Sequence, residues 1–429
     1  MGTIILKNIM SDSVQADIVV ADGIIRKIAP AGTVSVQDVP QAETETETVD
    51  CTGKAAVPSF VNMHIHAAMS LMRGLEEDVL FHKWLEKIWK VESGIDAEYV
   101  YWATKAACVE MLKTGTVTFN DHYWFAQAAY KAASETGIRP VESYVFLDKY
   151  DAGTAERQKD ECIALYEESL GWGDSGRFTV GIHSMYAVSE ETMLWAADFA
   201  RKHGLKIHIH LCETRKEVND CMGRHGITPV EYLERLGMLG PDLLAAHTLW
   251  LSDHDVELLG SRHVNCVHNI NSNLKLASGY RFRYNELRDA GANICIGTDG
   301  CASSNNLDIL EALKTAAFVQ KAWRGDPSAM PLDELIAMAT VNGARALGLN
   351  TGKIEEGKDA DILIVDTENT FFLSGGSFLA NFIYSAHSDC VDSVISRGRF
   401  VMRNRHVDGE KEILAGARKV LDKLQSVIM

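Results

Sequence analysis

Two short histidine motifs follow apolar runs and have the spacing needed to hold a metal ion. His64 and His66 stand two apart at the end of VPSFVNMHIH; His208 and His210 stand two apart in KIHIHLCE, with Glu213 three residues further on. Residues i and i+2 of a strand project to the same side, so each pair would present two imidazoles together. Imidazole is a common ligand of zinc and iron, and a nearby carboxylate can move protons. The two motifs therefore suggest metal-assisted hydrolysis.

Other apolar runs of the chain also end in residues that can bind a metal or transfer a proton. The runs GIHSMY, LLAAHT, VNCVHN and ANICIGTDG carry His183, His247, His268 and Asp299 near their carboxyl ends. The whole chain has only 15 histidines. Their concentration at the ends of apolar runs indicates one shared site rather than several separate structural histidines.

Three nitrogens and one carboxylate, with a position left for water, form a catalytic zinc or iron(II) site. His64, His66, His210 and Asp299 supply that set of ligands. His208 lies two residues before the strand end, so we expect it to be a buried, hydrogen-bonded neighbour rather than a ligand. The sequence thus predicts one divalent transition metal per chain, with zinc expected and iron(II) as the alternative.

The remaining polar groups at the strand ends suggest the catalytic roles. A metal of this kind lowers the pKa of its bound water from about 15.7 to near 7. Glu213 follows His210 closely enough to act as a proton shuttle. His247 would either orient the water or polarise the substrate.

The residues between these motifs predict the scaffold that would bring them together. Helical segments open on Asp96 and Ser189, typical N-cap residues, and close on Gly115 and Gly204. Such segments alternate with eight strand-like runs, which predicts a parallel (β/α)8 barrel. Its active site would lie at the carboxyl ends of the strands. The eight runs are FVNMHIH, GTVTFND, RPVESYVFL, FTVGIHS, LKIHIHL, LLAAHT, VNCVHN and ANICIGTD.

Short β-rich runs at both ends of the chain predict a second, smaller domain. TIILKNI and ADIVVADGIIRKIAP come before the barrel; GKDADILIVDT and the hairpin VDSVISRGRFVMRNRHV follow it, with a helix from about Glu410. We expect residues 1–57 and 352–429 to form this sheet domain and residues 58–351 to form the barrel.

Composition narrows the class of protein. The chain has 429 residues, 46% of them hydrophobic, and a net charge of −17, which argues against binding to nucleic acid or to anionic membranes. The chain shows neither a membrane-spanning run nor a secretory signal, and its nine cysteines are irregularly spaced. We expect a cytoplasmic protein with a small-molecule substrate, acting alone or as a homo-oligomer.

The combination of HxH, HIHLCE, SNLKLASG and GTDGCAS resembles the amidohydrolase superfamily. Within it, the chain is most similar to the cytosine deaminase-like branch, which includes 5′-methylthioadenosine/S-adenosylhomocysteine deaminases and triazine hydrolases. The resemblance covers nearly the whole chain and implies that the small domain is a composite β-sandwich. It also implies a mononuclear site, because the fourth strand, FTVGIHSMY, lacks the lysine that bridges two metals in binuclear members.

The resemblance further implies an aminohydrolase that deaminates an adenine-like ring. A nucleoside is the expected form of that substrate. Glu213 would protonate the ring nitrogen beside the attacked carbon, while His247 and Asp299 would handle the water. His183 would contact the purine, and Glu92, in WLEKIWKVE, would hold the ribose hydroxyls. Methylthioadenosine, adenosylhomocysteine and adenosine are the expected substrates.

One departure from the family pattern affects substrate choice. After TGIR the adenosylhomocysteine deaminases carry an arginine that faces the substrate, whereas this chain has ESYVFLD, which puts Tyr144 there. We therefore expect uncharged 5′ groups to be accepted at least as well as charged ones. His122 is a second departure, since relatives often have Met or an aromatic residue. The alternative function is action on a pterin or an s-triazine, with an amino or chloro leaving group.

Overall fold

The strands of the protein fall into two sheets. The computed structural model describes residues 2–35 and 46–428, and the sixteen strands in this part of the chain form two sheets of eight. The strands are β1 (Thr3–Ser11), β2 (Val14–Ala21), β3 (Ile24–Pro30), β4 (Thr46–Asp50), β5 (Lys54–Pro58), β6 (Phe60–Ile65), β7 (Thr116–Asp121), β8 (Arg139–Phe146), β9 (Arg177–Ile182), β10 (Lys206–Leu211), β11 (Leu243–His247), β12 (Asn265–His268), β13 (Asn293–Ile296), β14 (Ile362–Asp366), β15 (Val391–Ser396) and β16 (Arg399–Met402).

Helices lie between the strands and cover them. They are α1 (Phe81–Glu92), α2 (Ala97–Lys113), α3 (Ala126–Thr136), α4 (Ala152–Ser169), α5 (Glu190–Lys202), α6 (Arg215–His225), α7 (Pro229–Arg235), α8 (Asp253–Ser261), α9 (Ile270–Lys275), α10 (Tyr284–Ala290), α11 (Cys301–Ser304), α12 (Ile309–Arg324), α13 (Leu332–Ala339), α14 (Val341–Leu347), α15 (Phe378–Ala380) and α16 (Glu410–Ile428). As predicted, Asp96 and Ser189 cap α2 and α5 by accepting backbone N–H bonds. None of the described helices combines the length and apolarity needed to cross a membrane.

Strands β6 to β13 form the predicted barrel. They pair in chain order, each parallel to the next. The seam between β13 and β6 is bridged by the Asp299 N–H, which donates to the His64 carbonyl (2.9 Å), and by Asn62, whose side chain bonds to Thr298. The eight predicted strands thus form a nearly closed parallel barrel that brings their carboxyl ends together.

The lower part of the barrel interior is apolar. Val61, Met63, Val141 and Leu244 pack there, and Leu347 of α14 adds to the same cluster. Helix α14 approaches β6 so closely that a β-carbon at its Gly343 would lie 2.9–3.0 Å from the side chains of Val61 and Met63. This packing closes the end of the barrel opposite the predicted site.

A β-bulge in β6 sets the direction of the first histidine pair. Asn62 pairs with Phe119 and Ile65 with Asp121, so β6 has one more residue than β7 over this interval. The bulge switches the alternation of side chains. Met63 therefore lies in the lower core while the next residue, His64, also projects into the barrel.

The second sheet is built from both ends of the chain. Its strand order is β16-β15-β14-β5-β1-β2-β3, with β4 beside β1. The Ile25 N–H donates to the Lys358 carbonyl just before β14, so the sheet curls back on itself around an apolar core that includes Leu6, Ile18 and Ile362. A separate sheet domain from both termini was expected. Its exact limits, residues 1–57 and 352–429 against 58–351, stay a prediction.

Two contacts join this sheet domain and the C-terminal helix to the barrel. Arg139, buried at the start of β8, forms ion pairs with Asp359 and Asp361, both at 2.9 Å. Helix α16 packs Val420 and Leu424 into a cluster with residues of α1 that include Ile88. Helix α1 is therefore held from behind by the last helix of the chain.

Candidate active site

The four predicted metal ligands converge at the carboxyl end of the barrel. His66 Nε2 lies 3.4 Å from His210 Nε2 and 3.3 Å from Asp299 Oδ1, and His64 Nε2 lies 3.7 Å from the same carboxylate oxygen. His64 Nε2 is buried and has no hydrogen-bond partner among the described residues. Three nitrogens and a carboxylate oxygen facing one point fit a tetrahedral divalent ion.

Backbone carbonyls hold two of these imidazoles in the orientation that a metal requires. His66 Nδ1 donates to the His122 carbonyl, and His210 Nδ1 donates to the His183 carbonyl, each at 2.7 Å. Because the proton is on Nδ1, the Nε2 lone pair faces the centre. Burial lowers the pKa of both imidazoles. Both rings are therefore neutral and ready to act as ligands.

His208 lies beneath the centre rather than in it. Its Nε2 lies 2.9 Å from His64 Nδ1, and its Nδ1 lies 3.0 Å from the side-chain nitrogen of Asn120, so both ring nitrogens have a polar neighbour. Burial lowers its pKa to about 3, so it stays neutral. This agrees with its predicted place as a buried, hydrogen-bonded neighbour.

Glu213 and His247 lie together beside the four converging groups. Glu213 Oε2 is 4.0 Å from His247 Nε2, which is 3.9 Å from Asp299 Oδ2. Burial raises the pKa of the Glu213 carboxyl. Burial opposes the charged form of His247, but the carboxylates of Glu213 and Asp299 outweigh it and raise the imidazole pKa. A carboxyl whose pKa is raised toward neutrality, next to an imidazole, can both hold and release a proton.

The loops that carry these groups have unusual backbone conformations. Cys212, His247 and Asp299 adopt φ angles of +53°, +74° and +63°. Non-glycine residues rarely occupy this left-handed region, and such strain concentrates at functional sites. The backbone thus turns sharply at His247, at Asp299 and at the residue before Glu213, where these three side chains enter the site.

Glu217 is a supporting residue that the sequence analysis missed. Its two carboxylate oxygens accept the N–H groups of Cys212 (2.8 Å) and Glu213 (2.9 Å), which fixes the loop that carries Glu213. Burial raises its pKa to about 7. The pattern Thr214-x-x-Glu217 was the available signal, since a glutamate at the third position of a helix commonly bonds to backbone N–H groups before the helix.

Two of the three predicted substrate-binding residues line the cavity above the centre. Glu92, the last residue of α1, accepts a hydrogen bond of 2.9 Å from the Tyr123 hydroxyl. Burial raises its pKa to about 8. The His183 ring lies 5.2 Å from that of His210, and burial lowers its pKa to about 4. A neutral imidazole can either donate or accept a hydrogen bond.

Tyr144 lines a neighbouring depression rather than the cavity itself, and its role in substrate binding stays a prediction. Its hydroxyl donates to Glu161 of α4 at 2.6 Å, and its ring packs on Phe146. Side chains alternate along a strand, and it is the next residue, Val145, that lines the cavity. The resemblance aligned Tyr144 with the family's arginine, but this alternation turns its side chain outward.

His122 lines the same cavity and was noted in the sequence only as a departure from relatives. Its ring lies 4.6 Å from that of His208 and 4.8 Å from that of His210, and both of its nitrogens lack a partner among the described residues. His268, by contrast, stacks on Phe282 at 4.1 Å and is not part of the cavity wall. His122 stands two residues after Asn120, and this spacing along a strand could have predicted that both side chains face inward.

Comparison with known proteins identifies the family. Residues 55–401 match the amidohydrolase family model, and the chain belongs to that family. It is 43% identical over 371 residues to a 5′-deoxyadenosine deaminase of Methanoregula boonei, covering 86% of this chain and 84% of the relative. It is 40% identical over 380 residues to 5-methylthioadenosine/S-adenosylhomocysteine deaminase 1 of Archaeoglobus fulgidus, covering 88% and 89%.

A solved structure extends this similarity to the whole fold. The crystal structure of an adenosine deaminase from Xanthomonas campestris with bound zinc superposes with a TM-score of 0.89 at 30% sequence identity. The match covers 99% of this chain and 98% of the other. Both the barrel and the sheet domain formed by the termini therefore have a counterpart in a known enzyme.

Proposed function

We propose that this protein is a metal-dependent deaminase that hydrolyses the exocyclic C–N bond of an adenine ring carried by a nucleoside. The observation that carries the proposal is the meeting of four potential ligands with the Glu213–His247 pair at one end of the barrel. An amine on an aromatic ring leaves only when water attacks and a ring nitrogen takes up a proton. The site offers a group for each requirement.

His64, His66, His210 and Asp299 are the proposed ligands of one divalent ion, with zinc as the preferred choice. The ion would supply an activated water near neutral pH. Zinc suits three nitrogens and one carboxylate, and the zinc in the similar adenosine deaminase supports it. The absence of a lysine at the end of β9, which reads Arg177–Ile182 followed by His183, supports a single ion.

Glu213 and His247 are the proposed proton carriers. Glu213 would give its proton to the ring nitrogen next to the attacked carbon and would regain one from the attacking water. The second proton of that water would pass, by way of His247 and Asp299, to the exocyclic amine, which leaves as ammonia. His247 donates from Nδ1 to the Asn273 side-chain oxygen at 2.9 Å, which leaves its Nε2 facing Glu213 and Asp299. It would accept a hydrogen bond from the water and keep it aligned with the ring carbon.

A nucleoside is the proposed substrate because the cavity wall has groups for both ring and sugar. His183 would bond to the edge of the purine. Glu92, buried at the far wall, would accept the two ribose hydroxyls. The names of the similar proteins, which include deaminases of 5′-deoxyadenosine and of methylthioadenosine, support a nucleoside.

Ammonia release tests this function. Purified zinc-loaded protein should release ammonia from adenosine, 5′-deoxyadenosine, methylthioadenosine and adenosylhomocysteine, and should act on each far better than on free adenine. The panel should also include a pterin amine, melamine and a chlorotriazine. Turnover of one of these three with no activity on any nucleoside would reject the nucleoside assignment. No turnover of any compound would reject the proposed function altogether.

A further inference from the structure

A second depression opens directly onto the catalytic cavity. The cavity itself is narrow, about 70 Å³, whereas this groove measures about 850 Å³. The two share six wall residues: Phe81, Leu85, Trp89, Tyr186, Glu213 and Leu276. A ligand whose ring lies in the cavity can therefore extend into the groove without crossing a wall.

The groove runs between α1 and the start of α6. Trp250 forms part of the α6 side, where its indole N–H donates to the Ser278 carbonyl at 2.7 Å. The guanidinium of Arg215, the first residue of α6, lies 4.5 Å from the centre of the Trp250 ring. A hydrogen-bonded indole is a firm support for a guanidinium, because stacking leaves its N–H groups free to bond at the edge.

Arg215 makes no ion pair among the described residues, whereas most charged neighbours in the groove do. Lys216 pairs with Asp220, Glu86 pairs with Lys83 at 3.0 Å, and the carboxylate of Glu217 accepts backbone N–H groups. The acidic side chains of the groove are thus engaged elsewhere or, in the case of Glu213, belong to the catalytic centre. This leaves Arg215 available to an anionic ligand.

Resting on the proposed function, we propose that this groove is a subsite for the group on the 5′ carbon of the nucleoside, and that Arg215 selects a 5′ group ending in a carboxylate. A guanidinium binds a carboxylate through two parallel hydrogen bonds. A short neutral 5′ group would reach neither the groove nor Arg215. Substrates with long, carboxylate-terminated 5′ groups should therefore be preferred. This is the opposite of the preference for uncharged 5′ groups that the replacement of the family's arginine by Tyr144 suggests.

Three other places could compete for such a carboxylate. Arg224 of α6 lines the same groove and also makes no ion pair among the described residues, but no aromatic ring supports its guanidinium. Another depression beside the cavity is lined by Tyr144, Gln158 and Glu161, with no cation among its lining residues. The nearby Arg157 already pairs with Glu161 at 3.6 Å, so the described residues on this side offer an anion no unpaired cation.

The third place is Lys149, which lies over the Trp89 ring at 5.3 Å, near the entrance. Lys149 is a flexible point charge, whereas Arg215 has a fixed aromatic support and a fork of donors. Arg215 is the better match.

The test compares kcat/KM for adenosylhomocysteine, its carboxamide, and methylthioadenosine. Wild-type protein should favour adenosylhomocysteine over the other two compounds, which both lack the carboxylate. Arg215→Ala should lower the ratio of adenosylhomocysteine to methylthioadenosine by about tenfold, and Arg215→Lys should restore only part of it. The carboxamide should lose no activity in either variant, since it lacks the carboxylate that Arg215 would bind.

Arg281→Ala is the control, because Arg281 is also an arginine beside an aromatic residue, with its Nε donating to the Tyr280 hydroxyl at 3.3 Å, but lies outside the groove. It should leave the ratio unchanged. An unchanged ratio in Arg215→Ala, an equal fall in Arg281→Ala, or a fall seen in Lys149→Ala instead would overturn the assignment of Arg215. If the wild type deaminates no nucleoside at all, it is the proposed function that fails rather than this subsite.

Discussion

The strand ends and helix α1 form opposite sides of the same cavity, and they differ in almost every physical respect. The strand-end side has His66, His210, His247 and Asp299, held by backbone hydrogen bonds and neighbouring strands. The α1 side is mostly aromatic and aliphatic, with Glu92 as its one carboxylate. The difference suggests that the chemistry resides on the barrel and the recognition of the sugar on a helix added to it. Substitutions at the strand ends should therefore impair catalysis, whereas substitutions on α1 should impair recognition of the sugar.

The largest effect should come from the strand ends. His210→Ala removes one of four proposed ligands, and we expect loss of both bound metal and ammonia release, because three remaining ligands hold the ion poorly. Elemental analysis and an activity assay on the same preparation measure this. His254→Ala, which removes an exposed histidine of α8, is the control and should keep both. Normal metal content in His210→Ala would show that the ligands have been misassigned.

Glu213→Gln should separate proton transfer from metal binding on that same side. The amide keeps the size of the side chain but cannot exchange a proton, so kcat should fall by about 10²- to 10⁴-fold while the metal stays bound. Steady-state kinetics together with metal analysis checks both quantities. Loss of the metal would instead identify Glu213 as a ligand and remove the proton-carrier role.

On the α1 side, Glu92→Ala should weaken binding of the ribose without impairing deamination of the adenine ring. We expect kcat/KM for adenosine to fall by about 10- to 100-fold and that for adenine to change little. Because the pKa of Glu92 is raised to about 8, the wild-type carboxyl is largely protonated below that pH. As pH rises through 8 it ionises and accepts both hydroxyls, so KM for adenosine should fall.

Glu92→Ala should abolish this pH dependence of KM, and free adenine should never show it. KM measured between pH 6.5 and 9 for both compounds checks the prediction. A KM for adenosine that stays flat across that range in the wild type would place the ribose hydroxyls elsewhere.

The smallest effect should come from Tyr144, which belongs to neither side of the cavity. Tyr144→Phe removes only the hydrogen bond to Glu161, a partly exposed pair, so unfolding free energy should change by about 0.5–1 kcal/mol. The kcat/KM for any nucleoside should stay within about twofold, as for a residue outside the site. A substrate-specific loss in this variant would instead identify Tyr144 as a substrate-binding residue.

The strand-end side was the part most accessible from the sequence. Apolar runs ending in polar residues mark parallel strands, and a barrel brings all their carboxyl ends to one place, so convergence of His64, His210 and Asp299 followed from the pattern alone. The bulge in β6 could not be seen there, because a bulge depends on pairing with β7. Even with the bulge, His64 and His66 face the same centre, as their two-residue spacing predicts.

The sequence was less informative about recognition, for physical reasons. Which face of β8 holds Tyr144 depends on register with its neighbours, and a one-residue difference turns a side chain from the cavity to the helices. The groove beside Arg215 is formed by segments far apart in the chain, including α1, the start of α6 and Trp250. Periodicity within any one of these segments carries no information about the others.

The pairing of β5 with β14 constrains the order in which the chain can fold during synthesis. Residues 54–58 have residues 362–366 as their antiparallel partners, and β6, which leads directly to the first two proposed ligands, begins two residues after β5 ends. On the ribosome, β5 must therefore wait with one hydrogen-bonding edge unpaired while the barrel strands are made. Such long-range pairing slows folding and exposes a strand edge to aggregation. We expect the sheet domain to be the last part of the protein to become ordered.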